Sequence, residues 1–309
     1  MTDRGLLVVG DAVTDVVALH GSPALAGADT AADIVLRPGG SGANTAAWAA
    51  CLGADARLLT RLGYDSSDWH TAELVRTGVR AHVRVDPHHP TAVVIAMVDR
   101  SGERSMLTNR GAGGLISERD WDPALLAGVG RLHLSGYVLF APPGLRLARA
   151  AMADAAAAGV AVSVDPASTG PLRDFGVERF IAETAPAGLV IPNLDEALLL
   201  SGAATAEGAA VRLSERYGTA VVKMGAAGAL AAVDGAVVAT VPAVSAEVVD
   251  STGAGDAFAA GYLTAALRGA GEKAALEAGC RAGAACVAQV GGRPRYGLDL
   301  NRLYPIHTD

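Results

Sequence analysis

The sequence predicts an α/β fold: a mostly parallel sheet covered by helices on both faces. Three observations predict it. Apolar residues make up 51% of the 309 residues, ample for a large core. Short apolar runs alternate with longer Ala- and Leu-rich segments, the pattern of strand–helix units. Polar residues stand directly after several of the runs, at the strand ends where such sheets bind ligands.

Residues 6–9 form an apolar run that stops at Gly10-Asp11, as a buried first strand would. Around positions 16–19 and 34–36 lie two short apolar pieces, expected as a small flanking hairpin. Pro38-Gly39-Gly40 opens an Ala-rich helix over 41–52, followed by a strand over 57–62 and a helix over 69–77 that ends at Gly78. Residues 79–108 differ. Val83, Val85, Val93, Ile95 and Met97 alternate with period two, and Asp99-Arg100-Ser101-Gly102 signals a turn, so a hairpin insertion is expected here. Strand–helix alternation then resumes: strands over 131–134, 160–164, 189–191 and 220–224, and helices over 144–158, 177–183, 194–200 and 206–217. Asp234-Gly235 marks a late hairpin, and helices over 254–268 and 272–290 close the chain.

Composition excludes several functions. The net charge of −7 argues against a general nucleic-acid binder. No apolar run approaches the ~20 residues of a membrane span, and residues 1–10 lack the basic start and long apolar middle of a signal peptide. Three cysteines, Cys51, Cys280 and Cys286, form no Cys-x-x-Cys pair, which fits packing roles in a reducing cytoplasm.

The strongest chemical signal is Asp250-Ser251-Thr252-Gly253-Ala254-Gly255-Asp256, a turn of small residues feeding an apolar helix. Unpaired amides at a helix start attract anions. An aspartate there would repel a resting phosphate. It makes sense if Asp256 takes a proton from a hydroxyl while the amides hold charge on a transferring phosphoryl group. The plain alternative is an acidic helix start that suits the dipole. A second signal is Pro38-Gly39-Gly40-Ser41-Gly42-Ala43-Asn44. Its glycines let a ligand approach the backbone, and Asn44 offers a donor and an acceptor; Ser41 would serve there as a helix cap. A nucleophile elbow fails in this segment, since Ala43 stands where glycine is needed.

The order and separation of these two motifs resemble the two signatures of the PfkB/ribokinase family of ATP-dependent sugar and nucleoside kinases, and the likeness spans nearly the whole chain. It implies a ribokinase-like, Rossmann-type α/β/α sandwich in one kinase domain over 1–309, with lid segments at about 12–37 and 79–110 forming a small β-sheet. It implies that Asp256 is the catalytic base and that Gly253, Ala254 and Gly255 form the anion hole. On the substrate side it implies Asp11, Asp15, Gly39, Gly40 and Asn44, with Asn109 and Arg110 from the lid. For ATP it points to Asn193, Lys223, Gly225, Gly228, Thr252, Gly255 and Cys280. Asn193-Leu194-Asp195-Glu196 matches the motif that organises Mg²⁺ through water, although alone it reads as a helix cap. Asp250, Thr252, Val287, Val290 and Gly292 match a monovalent-cation (K⁺) site. The expected product is a phosphorylated hydroxymethyl group on a sugar or sugar derivative, with an adenosine- or pseudouridine-type nucleoside as the alternative acceptor. A homodimer through the lid is implied, with neither nucleic acid nor membrane as partner. Two departures weaken a strict ribokinase reading: Leu134-Ser135-Gly136-Tyr137 lacks the family's acidic residue, and Val13 stands where ribose-using members carry Asn.

Overall fold

The structure, a computed structural model, describes residues 5–20, 29–98, 104–295 and 298. In chain order the elements are β1 (Gly5–Val9), β2 (Val13–His20), β3 (Ala32–Gly39), α1 (Ser41–Cys51), β4 (Ala56–Gly63), α2 (Ser67–Arg76), β5 (Arg80–Asp86), β6 (Ala92–Val98) and β7 (Arg104–Asn109). There follow β8 (Val129–Ser135), α3 (Gly136–Leu139), α4 (Pro142–Ala157), β9 (Ala161–Asp165), α5 (Thr169–Phe175), α6 (Val177–Thr184), β10 (Leu189–Val190), α7 (Leu194–Ser201) and α8 (Ala206–Tyr217). The last are β11 (Thr219–Lys223), β12 (Ala229–Val233), β13 (Ala236–Val241), α9 (Ala254–Leu267) and α10 (Glu272–Val287).

Nine strands form the large sheet, in the order β13-β12-β11-β10-β9-β8-β1-β4-β5. The seven from β11 to β5 run parallel, and β12 and β13 add an antiparallel edge. A fully buried strand sends alternate side chains to opposite faces, and β1 does this. Leu6 and Val8 pack with α1, α2, α9 and α10, whereas Leu7 and Val9 pack with α4, α6, α7 and α8. Two cores result, one on each face of the sheet, so the expected α/β sandwich is the one found. The helix pair α9–α10 closes tightly because Gly261 and Gly279 have no side chains. A Cβ on Gly261 would lie 2.6 Å from the Ala278 carbonyl oxygen, and one on Gly279 would lie 2.9 Å from the Phe258 ring.

A separate four-stranded sheet has the order β3-β2-β6-β7. It joins two antiparallel hairpins through a parallel pairing that runs from Val13↔Ala92 to Leu19↔Val98. Its hairpins are the small β-sheet that the sequence leads one to expect, with one correction. Residues 80–86 are not part of it. They form β5, the edge strand of the large sheet, in parallel register with β4 from Arg57↔Arg80 to Gly63↔Asp86. An edge strand packed on one face carries the same period-two pattern as a hairpin arm: Ala81 and Val83 share the face that packs against the core, and Val85, next on that face, is exposed. The expected turn at 99–102 lies outside the described residues. The Asp234-Gly235 hairpin is found, with φ of 47° and 81° at its two central residues, as a tight primed turn requires.

Candidate active site

Strand order reverses at β1. The chain leaves β1 toward β4 and β5 on one side, then returns to β8 on the other. Such a switch point opens a crevice at the strands' carboxyl ends. A cavity of about 770 Å³ lies there. Its floor carries the first polar residues after the strands: Asp11 after β1, Asp165 at the end of β9, Asn193 after β10 and Lys223 at the end of β11. Its roof is one face of the small sheet, including Val13, Asp15, Val94, Met106 and Thr108.

Asp256 sits in the first turn of α9 and lines this cavity. Ser41 Oγ donates to its Oδ1 (2.8 Å) and Asn44 Nδ2 to its Oδ2 (2.9 Å). Burial pushes its pKa up to about 7. The Asn44 and Ser41 bonds and the Lys223 charge pull it down, and the Asp165 charge raises it further. A base poised near neutrality is suited to proton abstraction. Gly253 precedes α9 with φ 76°, and a Cβ there would lie 2.5 Å from the Gly292 Cα. The helix opens without a side-chain cap. The Ala254 N–H turns to the Ser251 carbonyl (3.3 Å), and among the described residues the amides of Gly255 and Asp256 have no backbone partner. Those two, rather than Ala254, are the donors open to an anion.

At one end of the cavity lie Asp11 and Asp15. Asp11 Oδ1 accepts from the Gly42 amide (3.3 Å) and from Ser135 Oγ (3.5 Å), and burial raises its pKa. Burial, then the neighbouring Asp11 charge, push Asp15 up to about 7, against the pull of Arg293. The Asp15 carboxylate lies flat on Gly39, where a Cβ would come within 2.0 Å of its Oδ2. Gly40 holds φ 96° against the Asp11 carbonyl. Arg110 lines the cavity with its guanidinium 5.6 Å from the Tyr137 ring centroid. Asn109 is spent locally, its Oδ1 accepting from the Gly111 amide (2.9 Å).

At the other end, Asn193 and Glu196 form a reciprocal cap on α7. Asn193 Oδ1 accepts from the Glu196 amide, and Glu196 accepts from both the amide and the side chain of Asn193 (2.7–2.9 Å). Burial, then the Asp165 charge, raise Glu196 to about 7. Lys223 Nζ bonds Asp165 Oδ2 at 2.5 Å and lies 3.3 Å from where a Gly255 Cβ would stand, next to the open amides. Burial opposes the lysine's charge, but Asp165 and Glu196 outweigh it and raise its pKa. Gly225 lines the cavity with open space above it. Gly228 does not: it packs on the Val241 carbonyl with φ 95°. Cys280 is buried in the core that α9 and α10 share, outside the cavity lining.

The segment carrying Asp250, Thr252, Val287, Val290 and Gly292 is drawn together behind α9. Val287 O accepts from the Val249 and Asp250 amides, Asp250 Oδ2 from the Gly291 amide, and Gly292 O from Trp48 Nε1 (2.8 Å). Among the described residues, no group of three or more His, Cys, Asp or Glu side chains stands ready to hold a metal alone. The donors that face the cavity, Asp165, Asn193 and Glu196 beside Lys223, are hard oxygen ligands near a cation, which fits a Mg²⁺–phosphate group.

Two roles depart from the sequence reading. Ser41 is not a helix cap: α1 is capped by Gly40 without a side-chain bond, and the Ser41 hydroxyl reaches Asp256 across 215 residues. Asn44 Nδ2 donates to the Asp256 carboxylate, a contact across the fold that its motif does not announce. Asp165 is marked in the sequence only by its position directly after a strand, and nothing local in Val164-Asp165-Pro166 gives it a specific role.

Comparison with known proteins agrees with this geometry. The model of the pfkB family carbohydrate kinases matches residues 3–295. The chain is 31% identical over 269 residues to a fructokinase from Klebsiella pneumoniae, covering 83% of this chain and 82% of that one. It is likewise 31% identical over 263 residues to an ATP-dependent ribose-1-phosphate kinase from Halopiger xanaduensis, covering 82% of each. The structure of adenosine kinase from Sinorhizobium meliloti superposes with a TM-score of 0.87 at 25% identity, covering 97% of this chain and 98% of that one. The match over residues 3–295 shows that the chain belongs to the pfkB family of carbohydrate kinases.

Proposed function

We propose that the protein transfers the γ-phosphoryl group of ATP to a hydroxymethyl group of a sugar or sugar derivative, with Asp256 as general base. The observation that carries this reading is the place of Asp256. It lies between a carboxylate-lined end suited to sugar hydroxyls and a cationic end suited to phosphates, beside two open amides. An acceptor bound on Asp11 and Asp15 presents its hydroxyl to Asp256. The carboxylate takes the proton, the oxygen attacks the γ-phosphorus as its bond to the β–γ bridging oxygen breaks and ADP leaves, and the Gly255 and Asp256 amides meet the charge that develops. Lys223 is close enough to join them by leaving Asp165. Mg²⁺ would arrive with the nucleotide, ordered through water by Asn193 and Glu196, and would neutralise phosphate charge.

Asp250, Thr252 and the 287–292 carbonyls are proposed to hold K⁺ behind the anion hole. The outer face of the small sheet, with Ile34, Leu36 and Leu107 all more than 60% exposed, is proposed as the homodimer contact. The kinase is proposed to act as one domain in the cytoplasm; among the described residues no helix is long and apolar enough to cross a membrane.

Tyr137 in the cavity wall favours one alternative, a nucleoside acceptor whose base stacks on that ring. A panel of acceptors decides between them: ribose, fructose, fructose 6-phosphate, 2-keto-3-deoxygluconate, adenosine and pseudouridine, scored by ADP release from Mg-ATP. Turnover with a sugar supports the main reading. Turnover with nucleosides alone replaces it with the alternative.

A further inference from the structure

The transfer scheme gives no task to Asp165, although it is buried and lines the crevice. Both of its oxygens are engaged. Oδ2 bonds Lys223 Nζ at 2.5 Å, and Oδ1 accepts from the Ala167 amide (2.8 Å). The two partners serve different substrates. Lys223 stands beside Gly255 and its open amide, at the phosphate end. Ala167 and Ser168 wall the crevice together with Tyr137, on the acceptor side.

Each contact restrains something that would otherwise move. The charges of Asp165, Glu196 and Asp256 all act on the Lys223 ammonium, and in the structure Asp165 holds it. A lysine carries a point charge on a flexible four-carbon stem. Without a carboxylate at 165, its remaining partners are Glu196 and Asp256, and an ammonium seated on Asp256 would tie up the base. Ala167 has φ 73°, and Asp234 is the only other non-glycine residue with positive φ among the described residues. A Cβ disfavours that conformation, so the Oδ1 bond to the Ala167 amide has a turn to hold in place. The Ser168 amide closes the turn on the Pro166 carbonyl (3.0 Å). The turn packs directly on Gly136, the residue before Tyr137: a Cβ there would lie 2.7 Å from the Asp165 and Pro166 carbonyl oxygens.

We propose that Asp165 is a positioning residue for both substrates: one carboxylate oxygen keeps Lys223 at the anion hole and off Asp256, and the other fixes the Ala167–Ser168 turn as the acceptor's wall. The first half rests on the reading of Asp256 as the base; the second does not.

Two variants separate the halves. Asp165→Asn keeps an oxygen for the Ala167 amide but meets Lys223 with an uncharged NH₂ group. Asp165→Ala removes both contacts. Two readouts need no acceptor. The chain has two lysines, Lys223 and Lys273, so ¹³Cε-lysine labelling gives two signals, assigned with Lys223→Met; both Asp165 variants should shift that of Lys223. Hydrogen exchange over residues 166–170 should quicken by about tenfold or more in Asp165→Ala and stay at the wild-type rate in Asp165→Asn.

Kinetics use Mg-ATP with ribose, fructose and adenosine as acceptors. Asp165→Asn should lower kcat by about tenfold or more and leave the acceptor KM alone. Asp165→Ala should also raise the acceptor KM by about tenfold. Adding Ala167→Gly to it should recover that KM but not kcat, because glycine takes a positive φ without strain. In a Lys223→Met background, Asp165→Asn should cost nothing further. Three results overturn the proposal: a Lys223 signal unmoved by both variants, exchange unchanged in Asp165→Ala, or an equal loss of kcat from Asp165→Asn with and without Lys223. Undiminished transfer by Asp256→Asn, with the lysine and exchange results as expected, would instead remove the base and leave Asp165 in its place.

Discussion

Replacing Asn44 by alanine removes one of two side-chain hydrogen bonds that hold the Asp256 carboxylate. The bond is 2.9 Å long, and Asn44 is 3% exposed, so water cannot replace it freely. A hydrogen bond to a charged group is worth about 1.5–3 kcal/mol. At about 1.36 kcal/mol per pH unit, its loss moves the Asp256 pKa by roughly one to two units. The direction is fixed by chemistry. The bond favours the ionised form, so without it the pKa rises from about 7. The acid limb of the pH profile of kcat/KM should therefore move upward. The rate near pH 7 should fall by about 5–50-fold and largely recover in alkali. Asp165→Asn should move the same limb the other way, because the Asp165 charge holds the pKa of Asp256 up. An Asn44→Ala profile that drops equally at every pH, with its midpoint unmoved, would refute the positioning role and return Asn44 to plain substrate binding.

Other perturbations follow from close approaches and burial. Gly292→Ala would put a Cβ 2.5 Å from Asn44 Nδ2; it should push that amide off Asp256 and reproduce the Asn44→Ala shift in the pH profile. Gly39→Ala would place a Cβ 2.0 Å from Asp15 Oδ2. Steady-state kinetics should show the acceptor KM raised by about tenfold or more and the ATP KM unchanged. Asp256→Asn should stabilise the fold at alkaline pH. The wild-type carboxyl is held above its unfolded value of 3.8, so its native form binds the extra proton, and its contribution to stability is lost as pH rises from about 4 through about 7. The amide has no proton to lose. Its advantage at pH ~8 should be on the order of 2–4 kcal/mol, fading to nothing near pH ~4, as thermal melts across pH would show.

Much of the fold was legible because buried parallel strands are short apolar runs and their turns carry glycine. The runs at β1, β8, β9 and β11 each read directly from sequence, as did the late hairpin. Strand β5 did not, because an edge strand shares the period-two pattern of a hairpin arm. The short helices α3 and α5 were missed for want of length: Gly136–Leu139 and Thr169–Phe175 carry too few turns for a helical period to show. The site divides in the same way. Motifs that bend the backbone, Gly39-Gly40 and Gly253-Ala254-Gly255, announce themselves locally. Contacts made across the fold do not. Ser41 looks like a cap by its place at the helix start, yet it turns to Asp256, and Arg293 is an ordinary arginine until the fold buries it beside Gly39. Asn193 and Glu196 form the helix cap that the sequence suggests and also line the cavity, so the cap leaves room for the proposed role.

The central claim is that Asp256 removes the acceptor's proton. Its most direct test is single-turnover phosphoryl transfer by wild type and Asp256→Asn, with ATP and acceptor both saturating and both affinities measured. The account predicts that transfer falls by about 10²–10⁴-fold, with ATP bound as tightly as before. Transfer at an undiminished rate in the variant would contradict it.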